Sequence, residues 1–167
     1  MKEIDTNRCL LRNWNEKDLS DLQEIFCSEE IAYLAGFKVK TPDEVLPILQ
    51  TFIQDSKKSL WAIADRNSDK AIGWLEVHRF QEFGEKAYEI GYCLNESYWG
   101  KVIMPEVVSA VIKEMRESGE IEELVCSHFE HNKQSKRVIE KCGFHYCKKE
   151  NGKIYYVQEI KKSDLNT

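Results

Sequence analysis

The chain of 167 residues has no apolar run long enough to span a bilayer, which takes about 20 residues. Its opening stretch, Met1 to Trp14, is charged and lacks the extended apolar core of an export signal. We therefore expect a cytoplasmic protein, with no membrane partner, whose six cysteines stay reduced. An excess of basic charge is missing as well: the formal net charge is -5. That argues against nucleic acid as a partner, because non-specific binding needs a basic face to displace counterions. There is no internal repeat, no low-complexity tract and no Gly/Ser/Pro-rich linker, so one domain over residues 1–167 is the simplest organisation. Familiar zinc spacings are absent too. Cys126, His128, His131, Cys142, His145 and Cys147 crowd one stretch, yet none forms a C-x2-C or H-x3-H pair. They read as core thiols and strand histidines, and no metal is expected.

What is present is an ordinary globular balance, 42% hydrophobic and 32% charged. Cys9 and Leu11 alternate with Leu10 and Arg12 in a first strand, Arg8 to Arg12. Asn15 caps a helix with Asp18 placed to reach back to it, and Leu19, Leu22, Ile25 and Phe26 recur at helical spacing. Thr41, Pro42 and Glu44 mark a second helix start, with Val45, Leu46, Ile48, Leu49, Phe52 and Ile53 as its apolar stripe and Pro47 in its second turn. Strands follow at Leu60 to Arg66, Ala71 to Phe80 and Lys86 to Asn95. A helix is expected from about Val102 to Ser118, then a strand (Leu124 to Phe129), a short helix (Asn132 to Cys142) and two strands joined at Asn151-Gly152. The order β-α-α-β-β-β-α-β-α-β-β describes a mixed α/β chain in which an antiparallel meander feeds a helix.

The third strand of that meander runs into Tyr98-Trp99-Gly100-Lys101 and then the long helix. A helix start presents unpaired N–H groups and the positive end of a dipole, both attractive to phosphate. Gly100 allows close backbone approach, and Lys101 adds a cation. A plain strand–helix connection would carry the same two residues.

The surrounding residues are recognisable. Ile90-Gly91-Tyr92-Cys93-Leu94-Asn95, then Tyr98-Trp99-Gly100-Lys101, then Met104-x-Glu106, resembles the acyl-CoA motif of the GNAT superfamily of N-acetyltransferases. The branch most resembled includes the ribosomal-protein alanine acetyltransferases. The segment Asn132 to Phe144 looks like that branch's N-x-x-S…V-x-x-K-x-G-F block, and Thr6-x-Arg8-Cys9-Leu10-Leu11-Arg12 like its opening. The resemblance implies a mostly antiparallel sheet with splayed middle strands, flanked by about four helices. It implies acetyl transfer from acetyl-CoA to a primary amine, a peptide N-terminus or a small molecule, by direct attack in a ternary complex. None of the cysteines need then be a nucleophile. It further implies that the pantetheine arm pairs with Tyr92, Cys93 and Leu94. Backbone N–H groups from Trp99 through Gly100, Lys101, Val102 and Ile103 to Met104 would wrap the pyrophosphate. Asn132 and Ser135 would touch the arm. A homodimer is compatible with this fold.

The chain departs from the pattern at three points. Where the family has glycine or alanine two residues after the loop glycine, it has Val102. Pro105 replaces a common threonine or serine, and Ile139 stands where many members place a tyrosine acid. Ser135 or a water is left to assist the departing thiolate. These changes keep a second reading open: a non-catalytic CoA-binding or protein-interaction module on the same fold. As general base, Glu76 ranks ahead of Glu89. Glu76 shares a strand face with Ile72, Trp74 and His78, and burial would raise its pKa. Tyr33, Gly36 and Phe37, in a loop from Ile31 to Val39, and the connection Phe80 to Lys86 are the expected acceptor side. Tyr98 and Trp99 are equally readable as loop anchors.

Overall fold

Polar residues at helix starts decide much of the amino-terminal structure. Asn15 accepts from the Lys17 N–H, and the Asp18 carboxylate accepts in turn from the Asn15 N–H at 3.0 Å, a reciprocal cap that turns the chain into a helix. The computed structural model describes residues 2–55 and 59–160. Its elements run β1 (Ile4–Asp5), β2 (Cys9–Arg12), α1 (Leu19–Phe26), α2 (Glu29–Ala35), α3 (Pro42–Asp55), β3 (Leu60–Asp65), β4 (Ala71–Arg79), β5 (Ala87–Leu94), α4 (Ile103–Ser118), β6 (Glu123–Phe129), α5 (Lys133–Lys141), β7 (His145–Glu150) and β8 (Lys153–Glu159). The strands form one mixed, mostly antiparallel sheet in the order β1-β2-β3-β4-β5-β6-β8-β7.

The described residues include five helices where about four are expected. The additional one, α2, occupies most of the expected Ile31–Val39 loop. Ser28 caps it by accepting from the Ile31 N–H, and Gly36 ends it at φ 78°. Only Ile31 and Ala32 are buried in it, so seven residues carry too little apolar periodicity to announce a helix. The two-residue β1, paired to β2, is too short to read as well. In α3, Leu46 is 47% exposed although the apolar stripe includes it, while Val45 and Leu49 are buried.

Two compact units divide the chain. One holds the residues up to Glu76 together with Tyr92–Met104; the other holds Val77–Gly91 and the chain from Pro105. In the first, Trp14, Leu22, Phe26, Val45, Leu49, Leu60, Ala62 and Ala71 form a core. Trp74 stacks on Phe26 at 5.2 Å, and Phe52 meets Trp74 edge-on at 5.5 Å. A buried ion pair braces it: Arg12 donates from both Nη atoms to the Asp18 carboxylate at 2.9 Å and from Nε to Asp69 at 2.9 Å.

In the second unit, Val107, Val111, Leu124, Val125 and Ile139 are fully or almost fully buried. β6 pairs with β8 along its whole length, and the β7–β8 hairpin closes at Asn151 (φ 49°) and Gly152 (φ 77°). β5 and β6 pair in parallel only over Ala87–Glu89 and Glu123–Val125, while the strands run on to Leu94 and Phe129. The middle of the sheet thus has the short ladder expected of splayed strands.

Candidate functional site

β5 ends because Asn95 ends it. Asn95 is 3% exposed; its N–H donates to the Ile72 carbonyl at 2.7 Å and its Nδ2 to Glu24 Oε2 at 2.9 Å. Its Oδ1 accepts from the Ser97 N–H, starting a short 3-10 turn over Glu96–Tyr98. Sequence reading takes Asn95 as the last strand residue and the end of a motif block. The fold uses it to tie β5, β4 and α1 together.

Beyond that turn the backbone changes hand repeatedly. Gly100 has φ 72° and Val102 φ 59°, with Lys101 between them and the helical Ile103 after them on the ordinary negative side. Alternating hands turn successive N–H groups toward one side, which makes an anion-binding concavity. Gly100, Lys101 and Val102 stand directly before the N-terminus of the 16-residue α4. The helix expected from about Val102 starts one residue later, at Ile103, and Val102 itself is left-handed. Ile103 and Met104 are buried, whereas Gly100, Lys101 and Val102 are exposed. A Cβ built on Gly100 would meet nothing within 4 Å, so its positive φ, rather than space, is what calls for glycine.

The aromatic pair before the loop anchors it. Trp99 Nε1 donates to the Leu94 carbonyl at 2.9 Å, and its ring packs with Ile25, Ile31 and Cys93. Lys101 Nζ lies 5.1 Å from the centre of the Tyr98 ring. On β5, Tyr92 is half-buried and Cys93 and Leu94 are buried. Burial pushes the Cys93 thiol up to about 12. A thiol so hard to ionise is a poor nucleophile, in keeping with direct attack. Arg8, read only as part of an opening motif, donates to the carbonyls of Lys101 and Val102.

The two candidate bases fare differently. Glu76 is half-buried on β4, opposite Leu60. Glu89, on β5, sits in a polar group within the second unit. Ser127 Oγ donates to its Oε1 at 3.0 Å, and His78 Nε2 lies 3.3 Å from its Oε2. The Glu89 side chain is 19% exposed and the His78 side chain 50%. The Tyr155 phenol is raised above its ordinary range, first by burial and then by the Glu89 charge. No sequence signal joins these groups, because Ser127 arrives from β6 and Tyr155 from β8.

Asn132 caps α5, its Oδ1 accepting from the Ser135 N–H at 3.0 Å. Both side chains are half-buried. Ile139, at the position of the family's tyrosine acid, is 1% exposed and part of the core. Of the expected acceptor side, Tyr33 is 65% exposed, while Phe37 packs on Phe26 at 4.9 Å. Phe80 and Phe83 stack at 5.2 Å beside Tyr155. Among the described residues no group of three or more His, Cys, Asp or Glu side chains is disposed to hold a metal ion. None of the described helices is long and apolar enough to cross a membrane.

The sequence profile of the acetyltransferase (GNAT) domain family matches residues 8–145. A ribosomal-protein-serine acetyltransferase of Escherichia coli (strain K12) is 34% identical over 76 residues, which is 46% of this chain and 42% of that protein. The match therefore spans less than half of that relative's length. Three solved structures share the fold. An acetyltransferase (GNAT family) from Bacillus anthracis has TM-score 0.82 at 21% identity, covering 95% of this chain and 98% of that one. The microcin C7 self-immunity acetyltransferase, solved with acetyl-CoA and AMP, has TM-score 0.73 at 21% identity, covering 92% and 93%. The ribosomal-protein-S5-alanine acetyltransferase from Vibrio fischeri has TM-score 0.72 at 21% identity, covering 100% of each chain. With the profile spanning most of the chain and the sheet, loop and helix arranged as described, this protein belongs to the acetyltransferase (GNAT) domain family.

Proposed function

We propose that the chain, acting as one domain, transfers an acetyl group from acetyl-CoA to a primary amine on a peptide N-terminus or a small molecule. The loop of alternating hand from Gly100 to Ile103, at the start of α4, carries this reading. Its N–H groups suit the CoA pyrophosphate without any side-chain hydroxyl, which Pro105 lacks. The backbone of β5 at Tyr92, Cys93 and Leu94 would pair with the pantetheine arm, and Asn132 and Ser135 would contact it. The ribosomal relatives named above support a peptide N-terminus as one acceptor class to test.

Glu89 displaces Glu76 as our preferred base. It has a hydroxyl donor and an imidazole within reach, so a proton taken from the ammonium can pass to half-exposed His78 and out. The neutral nitrogen attacks the thioester carbonyl and forms the C–N bond. The C–S bond then breaks; the thiolate takes a proton from water or Ser135, and the second proton leaving the acylated nitrogen replaces it. A thiol pKa near about 8–9 makes this leaving group tolerable without a strong acid, which buried Ile139 cannot supply.

The test is acetyl-CoA turnover against a panel of N-terminal peptides and small amines, read as free CoA by chromatography. Glu89→Gln should lower kcat/KM by about 10²–10⁴ with the best amine, and Glu76→Gln by much less. No CoA binding at millimolar cofactor by titration calorimetry would sink the proposal. Left-handed Val102 and buried Ile139 favour one second reading, a CoA-binding module without turnover. It predicts CoA binding with no CoA release across the whole panel.

A further inference from the structure

Arg8 stands just ahead of β2, far in sequence from the loop it touches. Its Nη1 donates to the Lys101 carbonyl at 2.6 Å and its Nη2 to the Val102 carbonyl at 3.0 Å. The guanidinium fork thus holds two successive peptide groups. All described peptide bonds are trans. In a trans peptide the C=O of one residue and the N–H of the next point in opposite directions. Carbonyls turned toward Arg8 therefore aim the N–H groups of Val102 and Ile103 away from it, onto the concave side of the loop.

Val102 makes this grip matter. A β-branched residue at φ 59° is in a region that L side chains avoid. Such a conformation persists only where its surroundings over-determine it. The Val102 side chain does not supply that constraint, being 52% exposed. Gly100 reaches its positive φ unaided; Val102 does not. The contact that spans both peptide groups flanking the strained Cα comes from Arg8.

We propose that Arg8 is a positioning residue for the cofactor loop: it clamps the Lys101 and Val102 carbonyls, holds Val102 left-handed, and so keeps the Val102 and Ile103 amides aimed at the CoA pyrophosphate. The proposal rests on reading this loop as the CoA site. It sets a specific coupling. Where residue 102 is a glycine, the left-handed conformation comes without penalty, and the clamp is needed less.

The experiment uses the full chain, with CoA itself as the probe in titration calorimetry, on wild type, Arg8→Met, Arg8→Lys, Val102→Gly and the Arg8→Met/Val102→Gly double variant. Losing the clamp should raise the Kd for CoA, and the KM for acetyl-CoA, by about tenfold, the scale of one left-handed residue, with kcat within about twofold. Arg8→Lys keeps the charge but not the fork, and should lose nearly as much. In the Val102→Gly background the same Arg8→Met change should cost about threefold or less. An equal cost in both backgrounds overturns the proposal, as does an unchanged Kd. So does a loss of kcat and Tm with KM unmoved, which marks a merely structural arginine. A ligand-free crystal structure of Arg8→Met separates this proposal from the reading beneath it. Val102 should relax to a negative φ there, and a φ that stays positive refutes the clamp. A relaxed Val102 in a protein whose wild type binds no CoA would keep the clamp and refute the cofactor site.

Discussion

Replacing Gly73 by alanine perturbs the proposed cofactor strand from the neighbouring strand, β4. A Cβ at position 73 would sit 2.2 Å from the Cys93 carbonyl oxygen and 3.1 Å from Leu94 Cα. Both atoms are backbone, so no side chain can swing aside. Reaching ordinary contact requires β4 and β5 to separate locally by about 1 Å, against the Asn95 N–H to Ile72 carbonyl bond next to the clash. Overpacking of this kind costs about 1–3 kcal/mol. At about 2–4 °C per kcal/mol for a chain of this size, Tm should fall by about 2–12 °C. The displaced residues, Cys93 and Leu94, are those proposed to pair with pantetheine. Misplacement by about 1 Å should weaken CoA binding by about 10- to 100-fold. Circular dichroism melts and CoA calorimetry on the same preparation read both effects. A Gly73→Ala protein with wild-type Tm and wild-type CoA affinity would refute the reasoning, because it would mean the two strands are not held at this separation.

Asp18→Asn should destabilise the protein by about 3 kcal/mol in urea titration, because it leaves buried Arg12 without its bidentate partner and weakens the Asn15 cap. A cost under about 1 kcal/mol would show that Asp69 alone satisfies Arg12. Asp69 is held below the usual carboxylate range, first by Lys17 and then by Arg12. Its contribution is therefore present above the unfolded pKa of about 4 and fades as pH falls through the lower folded value, which an acid titration of stability in wild type and Asp69→Asn resolves. For the thiols, Cys147 is exposed and Cys93 is buried with its pKa pushed up to about 12. At pH 8.5 iodoacetamide should label Cys147 in the native protein and leave Cys93 unmodified until denaturant is added, as peptide mapping would reveal. Because the folded thiol holds its proton longer, Cys93 should also make stability decline as pH rises above about 9. Rapid native labelling of Cys93 would contradict its burial.

Local chemistry makes several features legible in the sequence alone. The Asn15–Asp18 cap, the Thr41–Glu44 helix start and the Asn151-Gly152 hairpin each act within a few residues, and each is present. The long apolar stripe of α4 was equally plain, since Val107, Val108, Val111 and Ile112 repeat at helical spacing and are buried. The short elements β1 and α2 were not legible, because so few residues cannot establish a period. Leu46 shows the same limit from the other side: an apolar residue fits the pattern without being inside.

What the sequence determined by itself is the order of the longer elements, the family blocks and the loop that joins β5 to α4. These depend on neighbours along the chain, where spacing and residue type suffice. Three matters only the tertiary structure decided. Val102, expected in a helix, is left-handed in the loop ahead of α4. Arg8 became part of that loop across more than ninety residues of sequence. Glu89 meets Ser127 from β6 and His78 from β4. All three turn on contacts between segments distant in the chain, and a directional hydrogen bond leaves no periodic trace in the sequence of either partner.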